Sequence, residues 1–286
     1  MSAQLAVIIP HYDDLARLAR CLEALLPEGV PAGVEIVVVD NGSPGDVGGV
    51  VAQHLGVRLV QETARGAAPA RNRGVAATTA PRLAFLDADC VPKPGWLGVA
   101  LGLGPFEIVG GAVSVFDETP APRSGPEAFE TVFAFDQARY IAEDGFTVTA
   151  NMLTTREIFA DVGGFRSEVS EDRDWCERAR AMGYALRYHP ELTVAHPTRA
   201  DWPAIRRKWL RLTRETYGLR REQGPLRWAL RAIAVLGSPA RDLPRIWLSP
   251  RLDNRAERVR ASVTLIALRS LRAWWMLRQA AGLPPR

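Results

Sequence analysis

Two carboxylates stand directly after a short apolar run near the middle of the chain. Leu83 to Leu86 are apolar or small, and Asp87 and Asp89 follow with one alanine between them. Such a run is typical of a buried strand, and ligands bind at the strand ends of open α/β sheets. Two carboxylates this close favour a hard divalent cation such as Mg2+ or Mn2+, which would in turn hold a diphosphate. An Asp-rich turn without a ligand is the alternative.

Other acidic side chains follow the neighbouring apolar runs. Residues 5–9 are apolar, residues 34–39 are apolar except for Glu35, and Asp13 and Asp40 come at or soon after their ends. The alternation of strand and helix patterns predicts a parallel, doubly wound sheet, whose right-handed crossovers bring the strand ends to one edge. No Gly-x-Gly-x-x-Gly follows the first run. Phosphates would therefore be held by the metal and not by a glycine loop.

Charge is distributed unevenly along the 286 residues. Residues 199–286 contain 20 Lys or Arg and 6 Asp or Glu, whereas the first 198 contain 16 and 26. An acidic first part fits a cation site, and a basic tail suggests an anionic partner surface. The net charge of +4 is too small to indicate nucleic acid, and the arginines of the tail alternate with apolar residues, which argues against that partner.

The cysteines and the hydropathy pattern bear on location. Cys21, Cys90 and Cys176 are odd in number and lack a metal-like spacing, so we expect reduced thiols in a cytoplasmic protein. The first apolar run begins within a few residues of Met1 without a signal-peptide pattern, and no window of about 18 uncharged apolar residues occurs. We expect a cytoplasmic protein. Peripheral attachment to the inner face of the membrane is compatible with this location.

Six short motifs, in this order, make the chain resemble family 2 glycosyltransferases. They are Val7-Ile8-Ile9-Pro10, Val38-Val39-Asp40-Asn41-Gly42-Ser43, Ala70-Arg71-Asn72-Arg73-Gly74, Phe85-Leu86-Asp87-Ala88-Asp89, Gly163-Gly164-Phe165 and Glu171-Asp172. The resemblance covers about residues 4–200. It implies the GT-A fold, with a Rossmann-like, mostly parallel sheet flanked by helices. The expected domains are a catalytic domain at 1–200, with a nucleotide-sugar half to about 112 and an acceptor half at 113–200, and a helical extension at 201–286.

The resemblance also implies which residues bind the donor. The nucleotide-sugar site would consist of Pro10, His11, Tyr12, Asp40, Arg71 and Asp87. Asp40 would contact the base or the ribose. Mn2+ or Mg2+ would be bound by Asp89, with Asp87 and His196 as further ligands. One departure is Asp13, where the family often has asparagine.

The chemistry of transfer with inversion assigns roles to a second set of residues. An acceptor hydroxyl must lose its proton as it attacks the anomeric carbon, and a carboxylate in reach contributes about 100- to 10,000-fold. The resemblance implies Asp172 as this base, with Glu171 as the alternative and Asp174 as a third choice. The residues considered for acceptor contact are Asn151, Gly164 and Trp175. For Asn151 and Trp175, ordinary packing is an equally open interpretation.

From Asp201 onward the chain is rich in arginine and tryptophan with helical periodicity. Helices are predicted from about Trp202, over 225–236 and over 254–280. Basic amphipathic helices with tryptophans suit an anionic membrane surface, and such contact would suit a lipid-linked acceptor. The alternative is that these helices pack on the catalytic domain with their arginines in solvent.

These expectations describe a metal-dependent, inverting glycosyltransferase. It would move a sugar from a nucleoside-diphosphate-sugar, with UDP as the first choice, to a hydroxyl of a glycan or lipid-linked acceptor in cell-surface polysaccharide or glycolipid synthesis. One alternative is a non-catalytic binding or scaffold protein with the same fold. Another is a sugar nucleotidyltransferase, but that chemistry needs a glycine-rich basic loop where this chain has His11-Tyr12-Asp13-Asp14.

Overall fold

A computed structural model describes residues 2–167 and 169–285. The strands are β1 Leu5–His11, β2 Val34–Asp40, β3 Val57–Gln61, β4 Arg82–Leu86, β5 Val91–Pro92, β6 Ile108–Phe116, β7 Asn151–Thr155 and β8 Leu186–Pro197. The helices are α1 Leu15–Leu25, α2 Val47–Val51, α3 Ala67–Ala76, α4 Trp96–Gly102, α5 Gly125–Phe133, α6 Gln137–Arg139, α7 Arg156–Val162, α8 Glu171–Ala181, α9 Trp202–Arg220, α10 Pro225–Gly237, α11 Pro239–Trp247 and α12 Arg255–Ala280.

The described strands form one mixed sheet in the order β3-β2-β1-β4-β7-β6-β8-β5. β1 pairs in parallel with β2 and β4, and β2 pairs in parallel with β3. β7 is antiparallel to both β4 and β6, and β5 is antiparallel to β8. The predicted fold class is confirmed. Its parallel character belongs to the first four strands, since every helical crossover between parallel neighbours occurs there.

β1, β2 and β4 are buried on both faces, as expected where helices cover a sheet on both sides, whereas β3 at the edge of the sheet is half-buried to exposed. Leu5, Val7 and Ile9 of β1 pack with α1 on one face. Ala6 and Ile8 point to the other face, where they pack with α3 and with the start of α8. Successive residues of each apolar run therefore belong alternately to two hydrophobic cores, one on each face of the sheet.

The chain divides into two compact units. The first contains Met1–Ser114, Asp136–Ser167 and Glu171–His196, and the second contains mainly Val115–Phe135 and Pro197–Arg286. The second unit therefore joins α5 to α9–α12, although the sequence placed residues 113–200 in one acceptor half. The functional division at residue 200 stays a prediction. The interior of the second unit includes Phe129 of α5, Ile205 of α9 and Leu265 of α12.

The predicted C-terminal helices are present as α9, α10 and α12, and α11 lies between the last two. Within the described residues, no helix is long and apolar enough to cross a membrane.

Candidate active site

The candidate site begins at the carboxyl ends of β1, β2 and β4. His11 at the end of β1 lies in register with Asp40 at the end of β2. Asp87 directly follows Leu86, the last residue of β4, which is the other parallel neighbour of β1. Ligands bind outside the carboxyl ends of such strands. The predicted donor residues thus come together at the edge where the sequence placed them.

Asp40 is a buried and oriented acceptor at this edge. Its Oδ1 accepts the Ser43 backbone N–H at 3.0 Å, and His11 Nδ1 lies 3.9 Å from the same oxygen. Burial alone would raise the pKa of Asp40, but hydrogen bonds from the Ser43 side chain and backbone outweigh it and lower the pKa. An ionised carboxylate whose orientation is fixed in this way can accept hydrogen bonds from a base or a ribose.

His11 and Tyr12 occupy different positions. The His11 ring is buried, with its Nδ1 3.2 Å from Ser43 Oγ and its Nε2 accepting the Asp14 backbone N–H at 3.2 Å. It therefore ties the loop after β1 to the loop after β2. Tyr12, by contrast, directly follows the last residue of β1 and is 63% exposed. Of the predicted donor-site residues at the end of β1, Pro10 is half-buried, His11 is buried and Tyr12 is the most exposed.

The conformation of Asp13 explains its departure from the family pattern. Its φ is +50°, in the left-handed region that Asp and Asn tolerate better than other side chains. Its backbone N–H donates to Ser43 Oγ at 2.9 Å. Asp13 thus adopts a backbone conformation that asparagine also tolerates.

Arg71 connects the donor edge to the start of α8. It lies on α3 and is 3% exposed. Its Nη2 donates to Asp87 Oδ1 at 2.6 Å and its Nη1 to Glu171 Oε1 at 2.5 Å. Burial alone would lower the pKa of Arg71, but the carboxylates of Asp87 and Glu171 outweigh it and raise the pKa. One permanently charged guanidinium thus fixes two of the predicted acidic residues.

The predicted metal ligands separate into a pair and a third residue. Asp89 Oδ2 lies 3.3 Å from His196 Nε2, whereas Asp87 is bonded to Arg71. Within the described residues, no three His, Cys, Asp or Glu side chains form a group able to hold a metal ion by themselves. A carboxylate oxygen and an imidazole nitrogen fit a divalent cation that takes its other ligands from diphosphate and water, as Mg2+ commonly does beside nucleotides.

The acidic start of α8 contains the three predicted base candidates. Glu171 is bonded to Arg71, and Asp174 Oδ2 accepts from Arg178 Nε at 2.9 Å. Burial raises the pKa of Glu171, and the neighbouring Asp172 adds to this, against the effect of Arg71. Asp172 is half-buried, and its Oδ1 accepts the Arg173 backbone N–H at 2.7 Å. Asp172 is thus fixed at the first turn of α8, next to the residue that Arg71 binds.

Two predicted acceptor contacts are corrected by burial. Asn151 is fully buried. Its Oδ1 accepts a hydrogen bond from the Trp96 indole N–H at 3.1 Å, and its Nδ2 donates to the Ala112 and Leu192 carbonyls at 3.0 and 2.8 Å. Trp175 is also fully buried and donates from Nε1 to the Gly163 carbonyl at 2.9 Å. Both stabilise the core and have no surface for an acceptor.

Asn72 connects α3 to the turn before α8, which contains Gly164. Gly164 is exposed, and Asn72 exchanges two hydrogen bonds of 2.9 Å with the backbone of Phe165. Sequence reasoning did not assign a role to Asn72. Its place directly after Arg71 in the Ala-Arg-Asn-Arg-Gly motif was the available signal.

Comparison with known proteins places these residues in a family. A model described as "Glycosyl transferase family 2" matches residues 6–163. The chain is 30% identical over 208 residues to glycosyltransferase AglE of Haloferax volcanii, covering 68% of this chain and 67% of that protein. It is 32% identical over 213 residues to the pre-mycofactocin glycosyltransferase of Mycobacterium tuberculosis, covering 69% of this chain and 44% of that protein. The match thus spans less than half the length of the mycobacterial relative.

Solved structures share the fold. A mannosyltransferase from Pyrobaculum calidifontis, solved in complex with GDP-Man and Mn2+, superposes with a TM-score of 0.56 at 18% identity, covering 99% of this chain and 74% of that one. TarS residues 1–349 from S. aureus give a TM-score of 0.54 at 15% identity, covering 96% of this chain and 73% of that one.

Proposed function

Because the chain belongs to glycosyl transferase family 2, we propose that it is a metal-dependent, inverting glycosyltransferase that uses a nucleoside-diphosphate-sugar. The observation that carries the proposal is the Arg71 bridge. It joins Asp87, beside the donor edge of the sheet, to Glu171, the residue before the candidate base Asp172. A donor-binding edge and a proton-accepting group are thereby held in one framework, as a transfer reaction requires.

The donor half of the reaction depends on the strand ends. Asp40 accepts hydrogen bonds from the nucleoside, and the exposed Tyr12 ring supplies a face for the base. Asp89 and His196 would bind Mn2+ or Mg2+ together with the diphosphate. When bound, such a cation neutralises the charge that develops on the leaving nucleoside diphosphate.

The acceptor half depends on Asp172. Its carboxylate takes the proton of the acceptor hydroxyl while the hydroxyl oxygen forms a bond to the anomeric carbon. The bond from that carbon to the diphosphate oxygen breaks, and the electron pair leaves with the nucleoside diphosphate. Attack from the side opposite the leaving group inverts the configuration. Glu171 is less suited to this role because its carboxylate already accepts from Arg71.

We further propose a glycan or lipid-linked acceptor and a role in cell-surface polysaccharide or glycolipid synthesis. A cytoplasmic site of action, at the inner face of the membrane, is part of this proposal. It is supported by Cys21, Cys90 and Cys176, which are unpaired and buried, as expected in a reducing compartment.

Calorimetric titration with UDP, GDP and dTDP, each with and without Mn2+, tests the donor proposal. UDP is the expected nucleotide, and the mannosyltransferase that shares the fold, solved with GDP-Man, makes GDP the informative comparison. Binding of one nucleotide that strengthens with Mn2+ supports the proposal. If no nucleotide binds in either condition, the assignment of the donor site is wrong.

A further inference from the structure

α10 has an apolar face that no other part of the described chain covers. Its inner face, with Trp228 and Ala232, packs against α12 in a small core. Its outer face carries Leu226, Leu230, Ile233 and Leu236, which are 73%, 58%, 60% and 52% exposed. Spacings of four, three and three residues place these side chains on one stripe of the helix. An amphipathic helix normally has polar residues on the outer side, so this stripe is apolar where solvent is expected.

Exposed apolar side chains continue along the same compact unit. Trp247 and Leu248, at the end of α11, are exposed. α12 has its own exposed stripe with Val259, Val263, Ile266, Trp274 and Leu277. Isolated exposed leucines are ordinary, but contiguous apolar stripes mark surfaces that bind a partner.

The charged residues around these stripes are almost all cationic. Arg227 and Arg231 of α10 and Arg241 of α11 are exposed. The acid of α11, Asp242, is buried and bonded to Arg269 at 3.1 Å and to Arg241 at 3.2 Å, so it does not offset the outward charge. The exposed charged residues of α10 and α11 themselves are therefore arginines, and Glu222, just before α10, is an exposed acid next to them in the chain.

A further cation in this unit has no acidic partner. Arg269 and Arg272 lie over the Trp209 ring, at 5.5 and 5.1 Å from its centroid. Within the described part of the chain no carboxylate pairs with Arg272, and its buried Nε has no hydrogen-bond partner. Burial, with Arg269 and Arg231 nearby, lowers the pKa of Arg272 to about 10. Phosphate oxygens would satisfy such a group.

We propose that the outer face of α10, with Leu226, Leu230, Ile233 and Leu236, docks on an anionic lipid bilayer surface. The helix would lie in the plane of the interface, with its leucines among the acyl chains and Arg227 and Arg231 among the lipid phosphates. Trp247 and Trp274 suit the boundary, because tryptophan has an apolar ring and a polar N–H. This proposal rests on the membrane location that the proposed function includes, and it assigns that location to one face of α10.

A bilayer fits this face better than a second copy of the chain. A symmetric dimer would place the same patch on both partners, so the arginines of one copy would face those of the other. Like charges brought together at an interface oppose association, whereas anionic headgroups neutralise them. The positive charge of this face therefore favours binding to an anionic bilayer over binding to a second copy of the chain.

Co-sedimentation of the full chain with vesicles tests the proposal. Vesicles of equal parts phosphatidylglycerol and phosphatidylcholine are compared with phosphatidylcholine alone, at low salt. L230S/I233S removes two exposed apolar side chains and should weaken binding about tenfold or more. R227Q/R231Q should weaken binding to the anionic vesicles by about fivefold per arginine and leave neutral vesicles unaffected. The control is L55S, which removes a still more exposed leucine from the first compact unit.

The expected result is sedimentation with anionic vesicles that L230S/I233S reduces and L55S does not. The proposal is overturned if the unmodified chain stays in the supernatant, or if L230S/I233S binds as well as the unmodified chain. It is also overturned if light scattering shows a dimer that L230S/I233S dissociates while vesicles are not bound. Nucleotide titration of the same samples is independent of all these outcomes, so failure of the donor proposal is recognised separately.

Discussion

Arg71 is the residue on which the catalytic geometry depends. Its two hydrogen bonds fix Asp87 after β4 and Glu171 at the start of α8, and the carboxylates compensate for the cost of burying its charge. Asp172 follows Glu171 directly, so its backbone position is set by the same contact. The resemblance implies Asp172 as the base with Glu171 as the alternative, and the hydrogen bond from Arg71 to Glu171 supports this order, which stays a prediction. Glu171 accepts the hydrogen bond from Arg71, and Asp172 is the candidate base.

We predict that Asp172→Asn lowers kcat by about 100- to 10,000-fold with nucleotide affinity unchanged, because an amide cannot take the acceptor proton. Glu171→Gln should retain kcat within about tenfold, since the amide oxygen still accepts from Arg71. Nucleoside diphosphate released from the donor measures turnover, and calorimetry measures affinity. If Glu171→Gln abolishes turnover and Asp172→Asn does not, the two roles are exchanged.

The sequence predicted the acidic residues of the site but not their partners. Asp40, Asp87 and Asp89 were recognisable because each stands at or just after an apolar run that ends at the edge of the sheet. The Arg71–Glu171 bond joins positions 100 residues apart, and only the packing of α3 and α8 on one face of the sheet brings them together. Burial of Asn151 and Trp175 likewise depends on tertiary contacts that local sequence does not report.

At the scale of elements, α3 must lie very close to the sheet for Arg71 to reach both carboxylates. Gly74 makes this approach possible, because a Cβ at that position would overlap Ile8 Cγ2 of β1 and lie 3.2 Å from Val39 Cγ2 of β2. Glycine is costly inside a helix, so its presence at a tight contact indicates a packing requirement.

We predict that Gly74→Ala destabilises the fold by about 1–3 kcal/mol, as overpacking of a close contact does. It should also weaken nucleotide binding, since the displaced helix carries Arg71. Gly98→Ala in α4 is the matched control: Gly98 is helical and exposed, and a Cβ there meets no atom within 4 Å. The control should be neutral or stabilising by up to about 1 kcal/mol. Urea unfolding measures both, and equal stability of the two variants would contradict the packing argument.

The order of the first strands and helices was predictable, and the second half of the sheet was not. Apolar runs separated by helical patterns identify β1, β2 and β4 and their parallel pairing. The direction of β7, which is antiparallel to β4 and β6, has no signature in the period of its side chains. A strand buried on both faces has the same sequence pattern in either direction.

At the scale of the whole molecule, the second compact unit is stabilised by a buried ionic cluster. Glu130 of α5 is fully buried and accepts from Lys208 Nζ of α9 at 2.6 Å and from Arg199 Nη1 at 3.0 Å. Burial alone would raise the pKa of Glu130, but Lys208 and Arg199 outweigh it and lower the pKa below 4.5. α5 is thereby attached to the helices that follow residue 200.

We predict that Glu130→Gln destabilises the protein by roughly 3 kcal/mol at neutral pH, because it leaves Lys208 and Arg199 without their buried counter-charge. A lowered native pKa means that Glu130 stabilises fully above about pH 4.5 and that its contribution is lost as the pH falls further. The loss of unfolding free energy caused by Glu130→Gln should therefore become smaller at acidic pH. Urea titrations at several pH values measure this, and Glu222→Gln, at an exposed site of the same unit, is the control. A deficit independent of pH would contradict the assignment.

The sequence predicted helices in the C-terminal third but not the composition of the unit they form. Periodicity located α9, α10 and α12, while α11 contains Pro244 in its interior, a residue that argues against a helix in a sequence-based prediction. The inclusion of Val115–Phe135 depends on Glu130 and Phe129, which meet partners such as Arg199 and Ile205 that lie far later in the chain, 69 residues on in the case of Glu130 and Arg199. Such pairing is set by the packed core and by charge burial, not by local periodicity.

The most direct test of the account is the affinity of UDP and GDP for Asp89→Asn and for the unmodified chain, each titrated with and without Mn2+. If Asp89 and His196 bind the cation on the diphosphate, Mn2+ strengthens nucleotide binding in the unmodified chain and this gain is lost in Asp89→Asn. Glu28→Gln, an exposed loop change, should behave as the unmodified chain. Nucleotide binding that depends on Mn2+ equally in Asp89→Asn would contradict the metal site, and with it the proposed donor geometry.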